Sequence, residues 1–175
     1  MGNDAFLSMI SHAKTSKNKR LLAKLKKADH EETEFLCWDI LVHWVDLEKT
    51  VQRRAYGLIA AGFAKSKDEG DGSLGLGDSL YQSFASTNKG GEPDTSSEAA
   101  RLSRILSCSS ALELIDVLRP IINLLISRSI TLSFKQLLSD ILSFDNEERR
   151  QKIRVHWAQQ FYGKHKGKDN GEEQI

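Results

Sequence analysis

The sequence predicts an all-α bundle of about nine helices in two packed subdomains, on three observations. Apolar residues recur three and four positions apart almost throughout, and runs that alternate apolar with polar are few. Two helix starts fit the capping box, Ser110 with Glu113 and Asp145 with Glu148, in which each side chain satisfies an orphan backbone N–H of the other. Breaker residues concentrate in two stretches: 65–77, with Gly70, Gly72, Gly75 and Gly77, and 86–97, with Pro93.

Helices are expected at 4–13, 16–28, 31–46, 48–65, 76–86, 97–107, 110–127, 134–143 and 146–162. The second presents Leu21, Leu25 and Ala28 inward. The third is apolar, with Phe35, Trp38 and Trp44 read as core. The seventh contains Pro120, where a kink or break is expected. The ninth carries Ile153, Trp157 and Phe161 as an inward stripe and ends at Gly163, placed for a left-handed C′ position. The loop at 86–97 is the better join, which divides the chain into subdomains 1–90 and 91–163. The polar tail 164–175 is expected to be disordered. No internal repeat is present.

At 175 residues, 39% hydrophobic and 28% charged, the chain has the make-up of an ordinary soluble globular protein. Lys+Arg 25 against Asp+Glu 24 leaves it almost neutral, so a case for a polyanionic partner rests on where the charge sits. Cys37 and Cys108 stand far apart inside apolar patterns, which fits a reduced cytoplasmic protein without a metal site. No signal peptide is evident, and the longest apolar stretch, 121–126, is too short to cross a bilayer.

The sharpest charge feature is 14–27, with seven Lys/Arg and no acid. On one helix, Lys17, Arg20, Lys24 and Lys27 follow a 3-4-3 spacing and line one face. Such a row matches a polyanion, because each neutralised phosphate releases condensed counterions. The plainer reading is a solvated face. A second basic set comprises Arg101, Arg104, Arg119, Arg128, Arg149, Arg150, Lys152 and Arg154. Arginine forks equally onto phosphate or carboxylate, so intramolecular pairing with Glu98, Asp116 or Glu147 is the alternative.

No catalytic arrangement emerges. Residues 70–75 spell GxGxxG, but no strand precedes them and Asp68, Glu69 and Asp71 would repel phosphate. Asp39, His43 and Asp46 share a face without any supporting metal-ligand motif. None of the five histidines has a nucleophile and an acid at a meaningful spacing. The expectation is a protein that is not an enzyme and takes neither cofactor nor metal.

The string Ser97-Glu98-Ala99-Ala100-Arg101-Leu102-Ser103-Arg104-Ile105-Leu106 resembles the arginine-bearing helix of the CasB family, the small subunit of the type I-E CRISPR surveillance complex, Cascade. Leu118-Arg119, the run 132–142, the closing Arg-x-x-Trp-Ala-x-x-Phe-Tyr of 154–162 and the turn Ser73-Leu74-Gly75 are similar to other parts of that family. After that turn this chain has Leu76, Gly77 and Asp78, where the family often has a basic residue.

The resemblance implies an all-helical, non-catalytic antiviral-defence subunit that sits as a pair of copies in a crRNA-guided complex. Its implied partners are a second copy of itself, the backbone and large CRISPR subunits, the crRNA-containing complex, and target and displaced DNA. Base pairing with the guide reads sequence, and the protein handles backbone and shape. The site residues carried by this reading are Lys17, Arg20, Lys24, Lys27, Arg101, Arg104 and Arg119. The alternative is a purely architectural subunit that never touches DNA.

Overall fold

The structure, a computed structural model, describes residues 2–88 and 90–163, so the expected tail lies outside the described residues. Nine α-helices occur among them: α1 Asn3–Thr15, α2 Lys19–Leu25, α3 Trp38–Leu41, α4 Thr50–Lys65, α5 Leu76–Thr87, α6 Ser97–Ser107, α7 Ala111–Ser127, α8 Phe134–Ser143 and α9 Glu147–Tyr162. Two 3-10 turns, Glu34–Cys37 and Pro93–Thr95, complete the order. The all-α prediction holds. A lone parallel bridge, Leu74 with Leu132, is the extent of β pairing among the described residues.

α4 is the central rod. From Ala55 to Ala64 every residue is buried, many of them alanine or glycine, so α7 and α8 pack closely on it while α1 and α2 cover its other side. α5 packs along α9 and on α6. One apolar cluster runs from Phe6 through Phe63 and Leu118 to Phe161. Trp157 and Phe161 are fully buried, as their spacing predicts. Among the described residues no helix is long and apolar enough to cross a membrane.

The Gly-rich loop serves the fold. Asp71 accepts N–H bonds from Phe134 at 2.6 Å and Lys135 at 3.2 Å, so the loop itself supplies the anion that the α8 N-terminus favours. Gly72 lies against the Leu132 carbonyl, where an added Cβ would come within 2.5 Å. The turn into α5 then meets α9, with the Gly77 N–H donating to Gln160 Oε1 at 3.1 Å.

Six expectations are corrected. The helix read at 16–28 is shorter, because Lys17 at φ 54° closes α1 in a Schellman turn, with Asn18 N–H on the Ala13 carbonyl and Lys17 N–H on that of Lys14. Asn18 then caps α2 by accepting from the Leu21 N–H at 3.1 Å.

The helix read at 31–46 is a 3-10 turn running into the four-residue α3. Its backbone is held down at the start, where Thr33 Oγ1 donates to the Lys27 carbonyl and Cys37 Sγ contacts that of Lys24. In that tighter path Phe35 is 55% and Trp38 39% exposed, so neither is core, whereas Trp44 packs on Phe6 at 5.5 Å between ring centres.

Pro120 does not break α7, which runs on through it with the proline on the exposed side. Asp145 does not cap its own helix: Asn146 accepts the Arg149 N–H, while Asp145 reaches back to the Ala111 N–H at 2.7 Å and caps α7. Gly163 stays right-handed at φ −67°, with its N–H on the Gln159 carbonyl, so its freedom is not used.

Asp140, on α8, accepts from Trp157 Nε1 at 3.2 Å. Burial pushes its carboxyl up to about 6, against smaller lowering by that bond and by His156. The folded state therefore binds the proton more tightly than the unfolded chain. Stability present below about pH 4 is lost as pH rises through about 6. Asp140→Asn is expected to gain about 1–3 kcal/mol at pH 7 and to abolish that slope, as read by urea titrations at pH 4, 6 and 7.

Candidate nucleic-acid interface

The basic segment sits at the corner between α1 and α2. Lys17, Lys19, Arg20, Lys26 and Lys27 are all exposed, because Leu21, Leu22 and Leu25 take the inward side of α2. The 3-4-3 row is bent. Lys17 projects from the Schellman turn, Arg20 and Lys24 share α2, and Lys27 follows in the turn closed by its N–H on the Lys24 carbonyl. Arg20, Lys24 and Lys27 nevertheless converge with Ala23 and Leu36 on one shallow depression. Lys24 pairs with Asp39 there and holds the Asp39 carboxyl below its ordinary range. Lys14, the first cation of the run, turns inward and donates to the carbonyls of Phe63 and Ser66, both at 2.7 Å. Burial lowers its ammonium to about 8.

The C-terminal cations behave differently. Arg119 donates Nε–H to the Asp29 carbonyl at 2.6 Å and lies 3.4 Å from Asp116. Arg101 is 3.8 Å from Glu98 with its Nη1 buried. Arg128 pairs with Glu98 at 2.6 Å and also binds Ser83. Arg150 and Arg154 donate to the carbonyls of Phe144 and Cys108. Apart from Arg101, whose partner lies on its own helix, these guanidinium groups tie helices to neighbouring segments. Arg104 stands exposed on α6. The structure thus brings Arg20, Lys24 and Lys27 together, leaves Lys17 beside them, and sets Arg101, Arg104 and Arg119 elsewhere.

Sequence reasoning missed what lies next to the basic depression. Phe35, Leu36, Trp38 and Val42 are exposed. Arg53, fixed by Glu34 at 3.0 Å, lies over the Trp38 ring at 5.7 Å. The available signal was a segment apolar on every side, more than one buried face can use. Both cysteines are buried and free, and burial raises the Cys37 thiol to about 11. Among the described residues no three His, Cys, Asp or Glu side chains cluster to hold a metal ion.

Fold and surface define a class first: an all-helical protein whose exposed chemistry is a basic corner beside uncovered aromatic rings. Residues 21–162 match the family described as CRISPR-associated protein Cse2, and the chain belongs to that family. The fold is similar to that of CasB from Thermobifida fusca, with a TM-score of 0.68 and 19% identity over 91% of this chain and 94% of that one. It is equally similar to a Cse2-family CRISPR-associated protein from Thermus thermophilus, at a TM-score of 0.68 and 19% identity over 93% of this chain and 99% of that one. No curated protein matches the sequence.

Proposed function

We propose that this chain is the non-catalytic small subunit of a crRNA-guided type I-E surveillance complex, working in the cytoplasm. It braces the assembly as one of a pair of copies, against the backbone and large subunits. It also holds target and displaced DNA by phosphate contacts that ignore sequence. Lys17, Arg20, Lys24 and Lys27 are the primary contacts, with Arg104 as an outlying one. Arg119 acts chiefly by bracing the fold, and Arg101 pairs with Glu98 on its own helix.

The observation that supports this reading is the convergence of Arg20, Lys24 and Lys27 on one exposed surface in a near-neutral Cse2-family chain. The contacts proposed are to phosphate, which suits a division of labour in which guide pairing supplies specificity.

Fluorescence anisotropy of the full chain with a labelled oligothymidylate, titrated between about 50 and 200 mM salt, tests it. Arg20→Ala with Lys27→Ala is expected to weaken binding and to flatten the log–log salt slope by about 0.7 per phosphate contact removed. Unchanged affinity and slope would favour the architectural reading.

A further inference from the structure

The Phe35–Trp38 strip is an exposed aromatic surface with cations at its border, and the stapling arginines do not account for it. Phe35 and Trp38 are three apart across a 3-10 turn, where side chains three residues apart eclipse and the rise is about 2 Å per residue. The two side chains therefore leave the segment on the same side, one turn apart. Leu36, one position on, faces the neighbouring side and lines the depression shared by Arg20, Lys24 and Lys27. The two acids that flank the rings in sequence are both paired, Glu34 with Arg53 and Asp39 with Lys24. Arg53, held by Glu34 and the Leu47 carbonyl, lies over the Trp38 ring at 5.7 Å.

We infer that this strip is a base-stacking platform for single-stranded nucleic acid, with bases laid on Phe35 and Trp38 while phosphates follow Arg20 and Lys27. Charge complementarity decides the occupant. Leu36, between the two rings in sequence, lies in the basic depression of α2, and the two flanking acids are neutralised within the protein. Exposed rings beside cations hold single strands without reading sequence, because every base has a π-face. A duplex keeps its bases stacked inside and offers the rings nothing. The inference rests on the phosphate-contact reading above and adds to it a preference for unpaired bases.

The test compares an oligothymidylate of about 12 nucleotides with an abasic phosphodiester of the same length and charge, both binding the full chain. The native protein is expected to prefer the base-bearing strand, by about 5- to 150-fold for each base stacked. Phe35→Ala and Trp38→Ala should each remove much of that preference and leave affinity for the abasic polymer, and its salt slope, unchanged. Trp38→Phe should retain most of it. Both side chains lie at the surface, and matched melting temperatures would show that the variants stay folded.

Equal binding of the two polymers by the native protein would overturn the stacking platform and leave the phosphate-contact reading standing. Binding to neither would overturn both. If the alanine variants keep the base preference but fall out of the assembled complex, the strip docks a protein and the platform is overturned.

Discussion

Arg128→Met is expected to cost about 3–5 kcal/mol, because it strands a carboxylate inside the protein. Glu98 is fully buried, and Arg128 is its close partner at 2.6 Å; Ser97 contributes one further bond, and Arg101 stands off at 3.8 Å. Burial alone would raise the Glu98 carboxyl, but donation from Arg128, its own N–H and Ser97 outweighs it and holds the group below its usual range.

The sign follows from that direction. In the native protein the pair's contribution is fully present above the ordinary glutamate range and is lost as pH falls through the lowered folded value. In the variant the carboxyl rises instead, so the deficit shrinks as acid protonates it. Denaturant titrations at pH 7 and pH 4 check both statements. A variant within about 0.5 kcal/mol of the native protein at pH 7, the size of a neutral surface change, would refute the assignment. Replacing Glu98 and Arg128 together with methionine should recover most of the loss, since a buried pair exchanged for apolar packing is often neutral.

Gly77→Ala should be comparably severe for a different reason. An added Cβ would sit 2.1 Å from the Trp157 carbonyl oxygen and 2.7 Å from the Gln160 Cβ. The first obstacle is helix backbone, which cannot rotate away, so α5 and α9 must separate. A loss of about 3 kcal/mol or more is expected, lowering Tm by roughly 6–12 °C for a chain of this size. Gly70→Ala is the control, with nothing within 4 Å of its added Cβ, and should leave Tm unchanged. Equal melting of the two variants would show that α5 and α9 do not approach as described. The same contact explains why glycine stands at position 77, two residues past the Ser73-Leu74-Gly75 turn: that position lies against the backbone of α9.

Most of the helices were legible in the sequence because their hydrogen bonds are local and their inward faces recur every three or four residues. The bounds of 97–107 and 134–143 agree with α6 and α8, and Ser110 caps α7 by accepting from the Glu113 N–H. The third element misled because Phe35, Trp38 and Val42 carry the apolarity of a core while the chain holds them outside.

The site was half legible. The run 14–27 announced cations, but sequence could not show that Lys14 turns inward or that Lys17 leaves the helix. Nor could it tell Arg20, which stays in solvent, from Arg119, which reaches a carbonyl 90 residues away.

By itself, the sequence determined an all-helical chain, a basic run and the inward stripe of α9, since each depends on residues a few positions apart. Only the tertiary structure decided which charges remain outside, that Asp145 caps α7, and that two aromatic rings stand uncovered beside cations. A guanidinium takes whatever acceptor lies nearest in space, and backbone carbonyls, identical in every residue, leave no mark in the sequence to say where they will be.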